Sequence, residues 1–392
     1  MRILILKNIS TELFGTITLA GRLFHYFNKN GIDCYLSKFQ ESKIIDSYDY
    51  QNKVLPINYW NLKSNKNVYK NLNIDIIYCL ASDDALAAFR LKKYYFKSAK
   101  IFIGVYHPRQ FMVPTHFFTN YQEYLYTKII KNIPFQNLIF MDEACKKSHQ
   151  KYYKIKFNDS PIVPLPMEIK GKILEESFQK DKIVSVGRIT NFKPYTFGVV
   201  RAIKKLKSEK GICFQYHIIG DGSDCIKLKK FVNAENMNEH VIFHGSIPYE
   251  SINKIIMDAF CFIGMGTTVG EAAGIGLPSL VAIIDEEDVS YGLIGRLPNN
   301  ILGEPGEDLE LISFEKSLNN LYNLSTEEYL EEKQNSLKKS SFYAISNLAD
   351  LFLNTFKNGK ETKINISYLD QCLFRLAQIQ FRFFLKKEYR YK

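Results

Sequence analysis

The chain has 392 residues, of which 46% are hydrophobic and 24% are charged, an apolar content that is normal for a globular protein. The length is too great for one ordinary core, so we expect two domains, and no apolar run approaches the roughly 20 residues that span a bilayer. The net charge of +11, from 52 basic and 41 acidic residues, suggests an anionic partner: a nucleic acid, a phosphorylated ligand or a membrane surface.

The N-terminal half alternates short apolar runs with helical patterns. RILILKN at residues 2–8 predicts a buried strand, and a helix follows with Leu19, Leu23 and Phe27 on one face. Further strands are predicted at 74–80, 100–107 and 137–142. The prolines of PIVPLP at 161–166 suit an edge strand or an exit from the sheet.

A polar stretch at 168–182 interrupts this alternation, and we place the domain boundary there. The same alternation then restarts with the strand IVSVG and the helix YTFGVVRAIKKLKSEKG, and it continues through FQYHIIG, SDCIKLKKFV, HVIFHG, YESINKIIMDA and FCFIGM. Strands that alternate with helices indicate parallel sheets covered on both faces. The predicted fold is therefore α/β, with two Rossmann-like domains facing across a cleft and ligands at the carboxyl ends of the strands.

The predicted domains are residues 1–167, residues 168–340, and a C-terminal helical segment at 341–392. The end of that segment, 368–392, combines leucines and phenylalanines with Arg375, Arg382, Lys386, Lys387, Arg390 and Lys392. A basic amphipathic helix can lie on an anionic membrane. The alternative is a final helix that crosses back and packs on the domains.

The cysteines indicate a reducing compartment. The seven are scattered singly, mostly in apolar runs, and none belongs to a C-x-x-C motif. The N-terminal MRILILKNIS is too short and too polar for a signal peptide. We expect a cytoplasmic protein, either free or peripheral on the inner face of the cell membrane.

Two basic residues follow the first strand of the second domain. In SVGRITNFKPY the strand ends at Gly187, and Arg188 and Lys193 lie in the loop after it. Two cations held in a strand-end loop can bind a diphosphate. The alternative is a solvated basic loop in a basic protein.

A single carboxylate, Glu271, lies between two apolar runs in CFIGMGTTVGEAAGIGLPSLVAII. The sequence from Thr268 to Glu271 fits a capping box, in which Glu271 only stabilises a helix start. The glycine-rich turn before it offers backbone N–H groups to an anion. A glutamate beside a phosphate site can instead face the hydroxyls of a ribose.

Four stretches, in this order, resemble the retaining GT-B glycosyltransferases of family 4 (glycosyl transferases group 1). They are SVGRITNFKPY, HIIGDGSD at 217–224, VIFHGSIPYESI at 241–252 and GMGTTVGEAAGIGLPSLVA at 264–282. No single motif is decisive, but their order and spacing are fairly specific. The N-terminal half fits more loosely, through Gly15 before the first helix and GVYHPRQF at 104–111.

The resemblance implies roles for individual residues. Arg188 and Lys193 would bind the nucleotide diphosphate, and Glu271 would bind the ribose. The donor-binding backbone would include Gly187, Gly266, Thr267 and Thr268, and the HGSIPY loop, with Gly245 and Ile247, would lie near the base. His107 would face the acceptor. Gly15 either eases a turn or lets an acceptor or phosphate approach closely.

The chain departs from the family pattern at one informative position. The family has a pair of glutamates eight residues apart, and Ile263 stands where the first is expected. That glutamate contacts the transferred sugar in the family, so the donor sugar is open. The family's Gly-Gly segment further on is also replaced, by EEDVSYGLIGRLPNN.

The expected function is retaining, metal-independent transfer of a hexosyl or N-acetylhexosaminyl group. The donor would be a nucleotide-diphosphate sugar, with UDP favoured, and the acceptor a bacterial surface glycan (lipopolysaccharide or capsule) or a lipid-linked oligosaccharide. No cofactor or metal is expected, since none of the seven histidines belongs to an H-E-x-x-H or Cys/His cluster.

Four other classes were weighed against this one. A nicotinamide dehydrogenase would need G-x-G-x-x-G after a strand, which RILILKNISTELFGT lacks. A sugar-nucleotide epimerase of the same architecture would show a carboxylate-rich acid–base set, which the sequence does not reveal. A nucleic-acid-binding protein would explain the charge but not the paired domains, so no nucleic-acid partner is expected. A catalytically weakened partner subunit stays open because of Ile263.

Overall fold

The computed structural model describes residues 1–7, 15–38, 49–59, 61–64, 66–113, 119–169 and 179–384. These residues form two compact units. The first contains Met1–Pro166 and the chain from Ile345 onward, and the second contains Met167–Ala344. The chain therefore leaves the first unit once and returns to it near its C-terminal end. The predicted segment 341–392 is not a body of its own, because its described residues from Ile345 belong to the first unit.

The first unit is built on a parallel sheet whose described strands have the order β3-β2-β1-β4-β5-β6. The strands are β1 (Arg2–Leu6), β2 (Asp33–Lys38), β3 (Val54–Pro56), β4 (Ile76–Cys79), β5 (Lys100–Val105) and β6 (Leu138–Phe140). Ile3, Leu4, Ile5 and Leu6 of β1 are all fully buried. Both faces of the sheet are therefore covered, as parallel sheets require.

Helices cover this sheet. They are α1 (Gly15–Lys29), α2 (Lys66–Lys70), α3 (Ser82–Tyr94), α4 (Asn120–Asn132), α5 (Glu143–Tyr153), and the C-terminal α12 (Ile345–Asn358) and α13 (Tyr368–Phe384). Phe356 of α12 contacts Tyr78 of β4 and Phe102 of β5 through edge-to-face ring pairs. The C-terminal helices are thus part of the first core. PIVPLP at 161–166 forms only an isolated bridge from Ile162 to Phe140, because prolines cannot donate to a ladder.

The second unit contains a sheet whose described strands have the order β13-β12-β11-β10-β7-β8-β9. The strands are β7 (Gln179–Val186), β8 (Gln215–Ile219), β9 (Val241–Gly245), β10 (Ala259–Gly264), β11 (Ser279–Ala282), β12 (Val289–Leu293) and β13 (Ile312–Ser313). The strands from β7 to β11 pair in parallel, whereas β12 and β13 pair antiparallel at one side. The segment where the family has its Gly-Gly motif thus includes the antiparallel strand β12.

The helices of the second unit are α6 (Tyr195–Lys210), α7 (Cys225–Ala234), α8 (Tyr249–Ile256), α9 (Thr267–Ala273), α10 (Phe314–Tyr322) and α11 (Thr326–Ser341). Two clusters of buried apolar residues lie in this unit, one including Ile183 and the other Val184. Because successive residues of a strand point to opposite faces, the two faces of the sheet have separate cores. The predicted α/β fold with two parallel-sheet units is confirmed.

Candidate functional site

The sequence-predicted donor residues of the second unit gather at one edge of its sheet. Strands β7, β8, β9 and β10 are parallel neighbours, so their carboxyl ends meet at the same side. We call this side the carboxyl edge. Three of the four segments that leave it carry the predicted donor residues: Gly187, Arg188 and Lys193 after β7, Gly245 and Ile247 at and after the end of β9, and Gly266, Thr267, Thr268 and Glu271 after β10.

Backbone contacts hold the carboxyl ends of β7, β8 and β9 together. The N–H of Gly187 donates to the carbonyl of Ile219 at 2.9 Å, and the N–H of Gly220 donates to the carbonyl of Gly245 at 2.8 Å. A Cβ on Gly220, where φ is +132°, would overlap the carbonyl of Gly187. Glycine is therefore required at 220 by a close backbone approach as well as by its dihedral angle.

Lys193 lies against the end of β7. Its ammonium would be 3.5 Å from a Cβ built on Gly187, so the side chain reaches back to the strand end. Burial, together with the charge of Arg188, lowers the pKa of Lys193 to about 8. Two like charges close together, one of them partly buried, create a site that an anion would stabilise. Arg188 itself is exposed.

The loop with Lys193 is also fixed at its far end. The N–H of Asp285, just after β11, donates to the carbonyl of Phe192 at 3.2 Å. At the start of α6, a Cβ on Gly198 would overlap the backbone carbonyl of Glu287. The segment at 285–287 therefore supports the cationic loop from the side. Its role was not predicted from the sequence, because it depends on a contact between distant parts of the chain.

Gly245 and Gly266 both border open space. Gly245 has φ +65° and Gly266 has φ +67°, and a Cβ on either would meet no atom within 4 Å. Such positions allow a ligand to approach the backbone closely. Ile247, in the same loop as Gly245, is half-buried against the apolar cluster that includes Val184.

The capping-box interpretation of Glu271 is wrong. Helix α9 begins at Thr267 with Gly266 as its N-cap, so Thr268 is the second helical residue. The hydroxyl of Thr268 donates to the carbonyl of Met265 at 3.1 Å instead of capping an N–H. Glu271 is the fifth residue of α9, beyond the first turn, where the helix dipole has little effect. It is half-buried.

Ile263 lies inside β10 and is fully buried in the cluster that includes Ile183. Its carbonyl accepts a hydrogen bond from the hydroxyl of Ser185 at 2.6 Å. A carboxylate at this position would be buried among apolar side chains at high cost. The chain therefore does not use position 263 as a polar contact to a ligand.

A histidine pair lies close to the carboxyl edge. Nδ1 of His217 and Nε2 of His244 are 3.0 Å apart, and the rings stack with centroids 5.1 Å apart. Burial, Lys182 and the His244 charge lower the pKa of His217 to about 4. His244 directly precedes Gly245, so the pair supports the start of the HGSIPY loop. The motifs contained both histidines, but their pairing depends on the register of β8 and β9.

The two remaining predicted residues belong to the first unit. His107 follows β5, is half-buried, and its Nδ1 accepts a hydrogen bond from the N–H of Arg109 at 3.0 Å. Gln110 fixes the same turn by accepting from the N–H of Tyr106 and donating to the carbonyl of Gly104, both at 2.8 Å. Gly15 is the exposed first residue of α1 and has no atom within 4 Å of a built Cβ. The residues just before it, 8–14, lie outside the described part.

Across the described ranges, no group of three or more His, Cys, Asp or Glu residues is arranged to hold a metal ion. Likewise, none of the described helices is long and apolar enough to cross a membrane. Metal independence stays a prediction from the resemblance.

Comparison with known proteins finds a family match within the second unit. Residues 168–284 match the family model described as glycosyl transferases group 1. This range includes β7 to β11 and every predicted donor residue. No curated protein matches the chain significantly.

Solved structures with the same fold cover nearly the whole chain. A glycosyltransferase from Rickettsia africae ESF-5 is 14% identical, with a TM-score of 0.65 over 91% of this chain and 97% of its own. HepE from Anabaena, in complex with UDP and glucose, is 14% identical, with a TM-score of 0.64 over 91% and 99%. The lipopolysaccharide outer core galactosyltransferase WaaB, in its apo form, is 16% identical, with a TM-score of 0.59 over the same shares. The fold is GT-B.

Proposed function

We propose that this chain is a glycosyltransferase that transfers a sugar with retention from a UDP-sugar to a bacterial surface glycan or a lipid-linked oligosaccharide; the family match of the second unit and the GT-B fold support this. One observation carries the proposal. Lys193 and Arg188 lie together after the central strand β7, and the pKa of Lys193 is lowered to about 8 by burial and by Arg188. A cation pair of this kind fits a diphosphate.

The leaving group explains why two cations are useful. When the bond between the sugar and the diphosphate breaks, its electron pair leaves with the UDP, and negative charge grows on the diphosphate oxygen. Preorganised positive groups stabilise that charge more in the transition state than in the substrate, which lowers the barrier. The acceptor hydroxyl then forms the new bond on the same face of the sugar and passes its proton to the departing diphosphate oxygen, which lies on that face. The resemblance implies that no metal takes part.

Glu271 and the glycines suit the rest of the nucleotide. Glu271 lies on α9, which begins directly after the open backbone at Gly266, and we propose that its carboxylate binds the ribose diol, as acidic residues do in other nucleotide folds. The open space beside Gly245 and Gly266 would admit the base and the phosphates close to the backbone. Uridine is the first base to test because HepE was solved with UDP.

The acceptor class is proposed from one of the similar structures and from the position of His107. WaaB is a lipopolysaccharide outer core galactosyltransferase. By analogy, we propose as acceptor a surface glycan that is still growing at the inner face of the cell membrane. His107, at the end of β5 in the first unit, is the proposed acceptor-facing residue. Its ring is held by Arg109, so its position is defined before any ligand binds.

The test is nucleotide binding by calorimetry and thermal unfolding. UDP, GDP, ADP and CMP, and then their sugar conjugates, are compared on the wild type and on Lys193→Ala. A ligand at about 100 times its dissociation constant stabilises the fold by roughly 2.7 kcal/mol. Stabilisation by one nucleotide family that is lost in Lys193→Ala supports the proposal. Equal stabilisation of both proteins, or none of either, contradicts it.

A second candidate is a catalytically weakened partner subunit. The specific observation is that Ile263 is a buried core residue of β10, so the carboxylate that the family uses on the donor sugar is absent from that position. Such a subunit would bind UDP but neither transfer nor hydrolyse the sugar. Release of UDP from UDP-sugars in the presence of acceptor extracts separates the two candidates.

A further inference from the structure

Helix α13 has one buried face and, on the opposite side, an exposed apolar face. Gln371, Phe374 and Ala377 are buried against the first unit. On the other side Tyr368, Leu369, Leu376 and Ile379 are 54%, 65%, 53% and 39% exposed. We call these four residues the outer stripe. At 100° per residue they share one side of the helix, which is opposite to the buried side.

The buried face of α13 is firmly attached. The Gln371 amide donates to the carbonyl of Tyr59 at 2.9 Å, and Gln371 also contacts the guanidinium of Arg90 on α3. Asp370 accepts from the hydroxyl of Tyr121 on α4 at 2.7 Å. Phe374 packs on the ring of Tyr126 at 5.6 Å. The helix is therefore a fixed part of the first unit, and its outer stripe is a permanent surface feature.

Tyrosines from the neighbouring helices extend this surface. Tyr94 at the end of α3 is 50% exposed and Tyr124 on α4 is 54% exposed. The Arg90 guanidinium lies 4.9 Å from the ring centroid of Tyr368. Burial lowers the pKa of Arg90, and the nearby Tyr94 and Tyr368 partly oppose this. Tyr124 contacts Tyr121, which holds α13 at Asp370. Exposed tyrosines around leucines are typical of surfaces that meet the membrane–water interface.

Basic residues near this surface favour an anionic partner. Lys93 and Arg375 are exposed basic residues on α3 and α13. Burial opposes a lower pKa of Asp370, but hydrogen bonds from Ser367 and Tyr121 lower it, and the charge of Lys128 on α4 adds to their effect. The sequence from 382 to the end adds five basic residues and one acidic residue directly after the outer stripe. A second copy of a chain with net charge +11 would bring two basic ends together. An anionic lipid surface is complementary instead.

We propose that the outer stripe of α13, flanked by Tyr94 and Tyr124, is a docking surface for an anionic lipid bilayer. The helix would lie in the plane of the interface, with its leucines among the headgroups and its basic residues against the lipid phosphates. The surface follows from α13 and its neighbours alone. Its purpose, which is to present a lipid-linked acceptor to the first unit, rests on the proposed function.

Removal of α13 would not test this proposal, because its buried face belongs to the core of the first unit. The test is co-sedimentation of the full chain with vesicles, using a double variant, Leu369→Asp with Leu376→Asp. Both leucines are more than half exposed, so the fold should tolerate the change. The matched control is Ile226→Asp on α7 of the second unit, a residue that is 72% exposed.

We expect the wild type and Ile226→Asp to bind phosphatidylcholine vesicles that contain phosphatidylglycerol, and to bind pure phosphatidylcholine much less. The double variant should lose about tenfold or more of its binding to the anionic vesicles. Equal binding by the double variant, or no binding by the wild type, would overturn the proposal. So would a wild-type dimer that the double substitution converts to a monomer, because a second copy would then be the occupant. UDP binding, measured on the same three proteins, tests the proposed function separately.

Discussion

The carbonyl of Gly187 occupies the space that a Cβ on Gly220 would need. This contact joins the ends of β7 and β8 and fixes the position at which the loop with Arg188 and Lys193 begins. We expect Gly220→Ala to destabilise the second unit by about 2–4 kcal/mol, because the methyl group forces two backbones apart at an unfavourable φ. Urea unfolding monitored by hydrogen exchange in β7 and β8 measures this.

The matched control for that change is Gly211→Ala. Gly211 ends α6 at φ +67°, with no atom within 4 Å of a built Cβ. It should cost only the left-handed backbone penalty, about 1 kcal/mol. Equal losses in the two variants would show that the close approach to Gly187 is not the cause.

The lowered pKa of Lys193 predicts how UDP affinity depends on pH. With a pKa of about 8 in the free protein, the ammonium is largely charged at pH 7 and increasingly neutral above pH 8. A bound diphosphate favours the charged form, so affinity should fall as pH rises above 8, by up to roughly tenfold per pH unit. Calorimetry from pH 6.5 to 9.5 checks this. Lys193→Arg should keep its affinity across the range, because arginine stays charged.

Arg188 is exposed beside Lys193 and is expected to act mainly on the departing diphosphate. Arg188→Ala should lower kcat about 100- to 1000-fold and change KM much less, as happens when a donor that acts in the transition state is lost. Lys204→Ala is the control, since Lys204 is a basic residue of the neighbouring helix α6 that pairs with Glu235 and not with the segment at 285–287. An Arg188 variant with wild-type turnover would remove this residue from the site.

Glu271 should affect affinity and leave stability unchanged. Because glutamine has the same shape as glutamate and Glu271 is not a cap of α9, we expect Glu271→Gln to change the unfolding temperature little. The loss of a charged acceptor for the ribose should weaken UDP binding roughly tenfold to a hundredfold. The wild type should likewise bind 2′-deoxy-UDP less tightly, and the variant should discriminate less between the two nucleotides. A lower unfolding temperature with unchanged affinity would return Glu271 to a purely structural role.

The histidine pair predicts acid sensitivity of the second unit. Burial and Lys182 lower the pKa of His217 to about 4 from its ordinary 6.5. Between these two pH values, His217 is mostly protonated in the unfolded chain and mostly neutral in the folded chain. Stability should therefore be complete above pH 6.5 and fall as the pH drops toward 4, by about 1 kcal/mol at pH 5 for this partly exposed group. Hydrogen exchange of β8 at pH 7.5 and 5 measures the loss. His217→Gln should reduce the difference between the two pH values, and an unchanged difference would exclude His217 as its source.

The general architecture could be predicted because it depends on local patterns. Helix α6 begins at Tyr195 and its C-cap is Gly211, and these limits follow from apolar spacing and a terminal glycine. Strand β7 begins at Gln179, four residues before the predicted IVSVG. Its first residue, Gln179, pairs with Ala259 of β10, a contact between distant parts of the chain that a local pattern does not contain.

The site could be predicted in its parts but not in its arrangement. The sequence predicts Arg188, Lys193 and Glu271 as site residues because charged residues are unusual at the ends of apolar runs and because the family motifs match there; their roles stay predictions. The capping interpretation of Glu271 was wrong, because the helix starts at Thr267 and so places Thr268 inside it. The support of Phe192 by Asp285 joins residues that four strands, β8 to β11, separate along the chain, and only the folded sheet reveals it.

The discontinuity of the first unit has a consequence for synthesis on the ribosome. The second unit is a continuous stretch, Met167–Ala344, whereas the first needs residues from both ends of the chain. Phe352 and Phe356 of α12 are fully buried in its core, and they emerge only after the whole second unit. Domains usually fold as units in the order of their synthesis. We therefore expect the second unit to fold first. The first unit can complete its core only when α12 and α13 have left the ribosome.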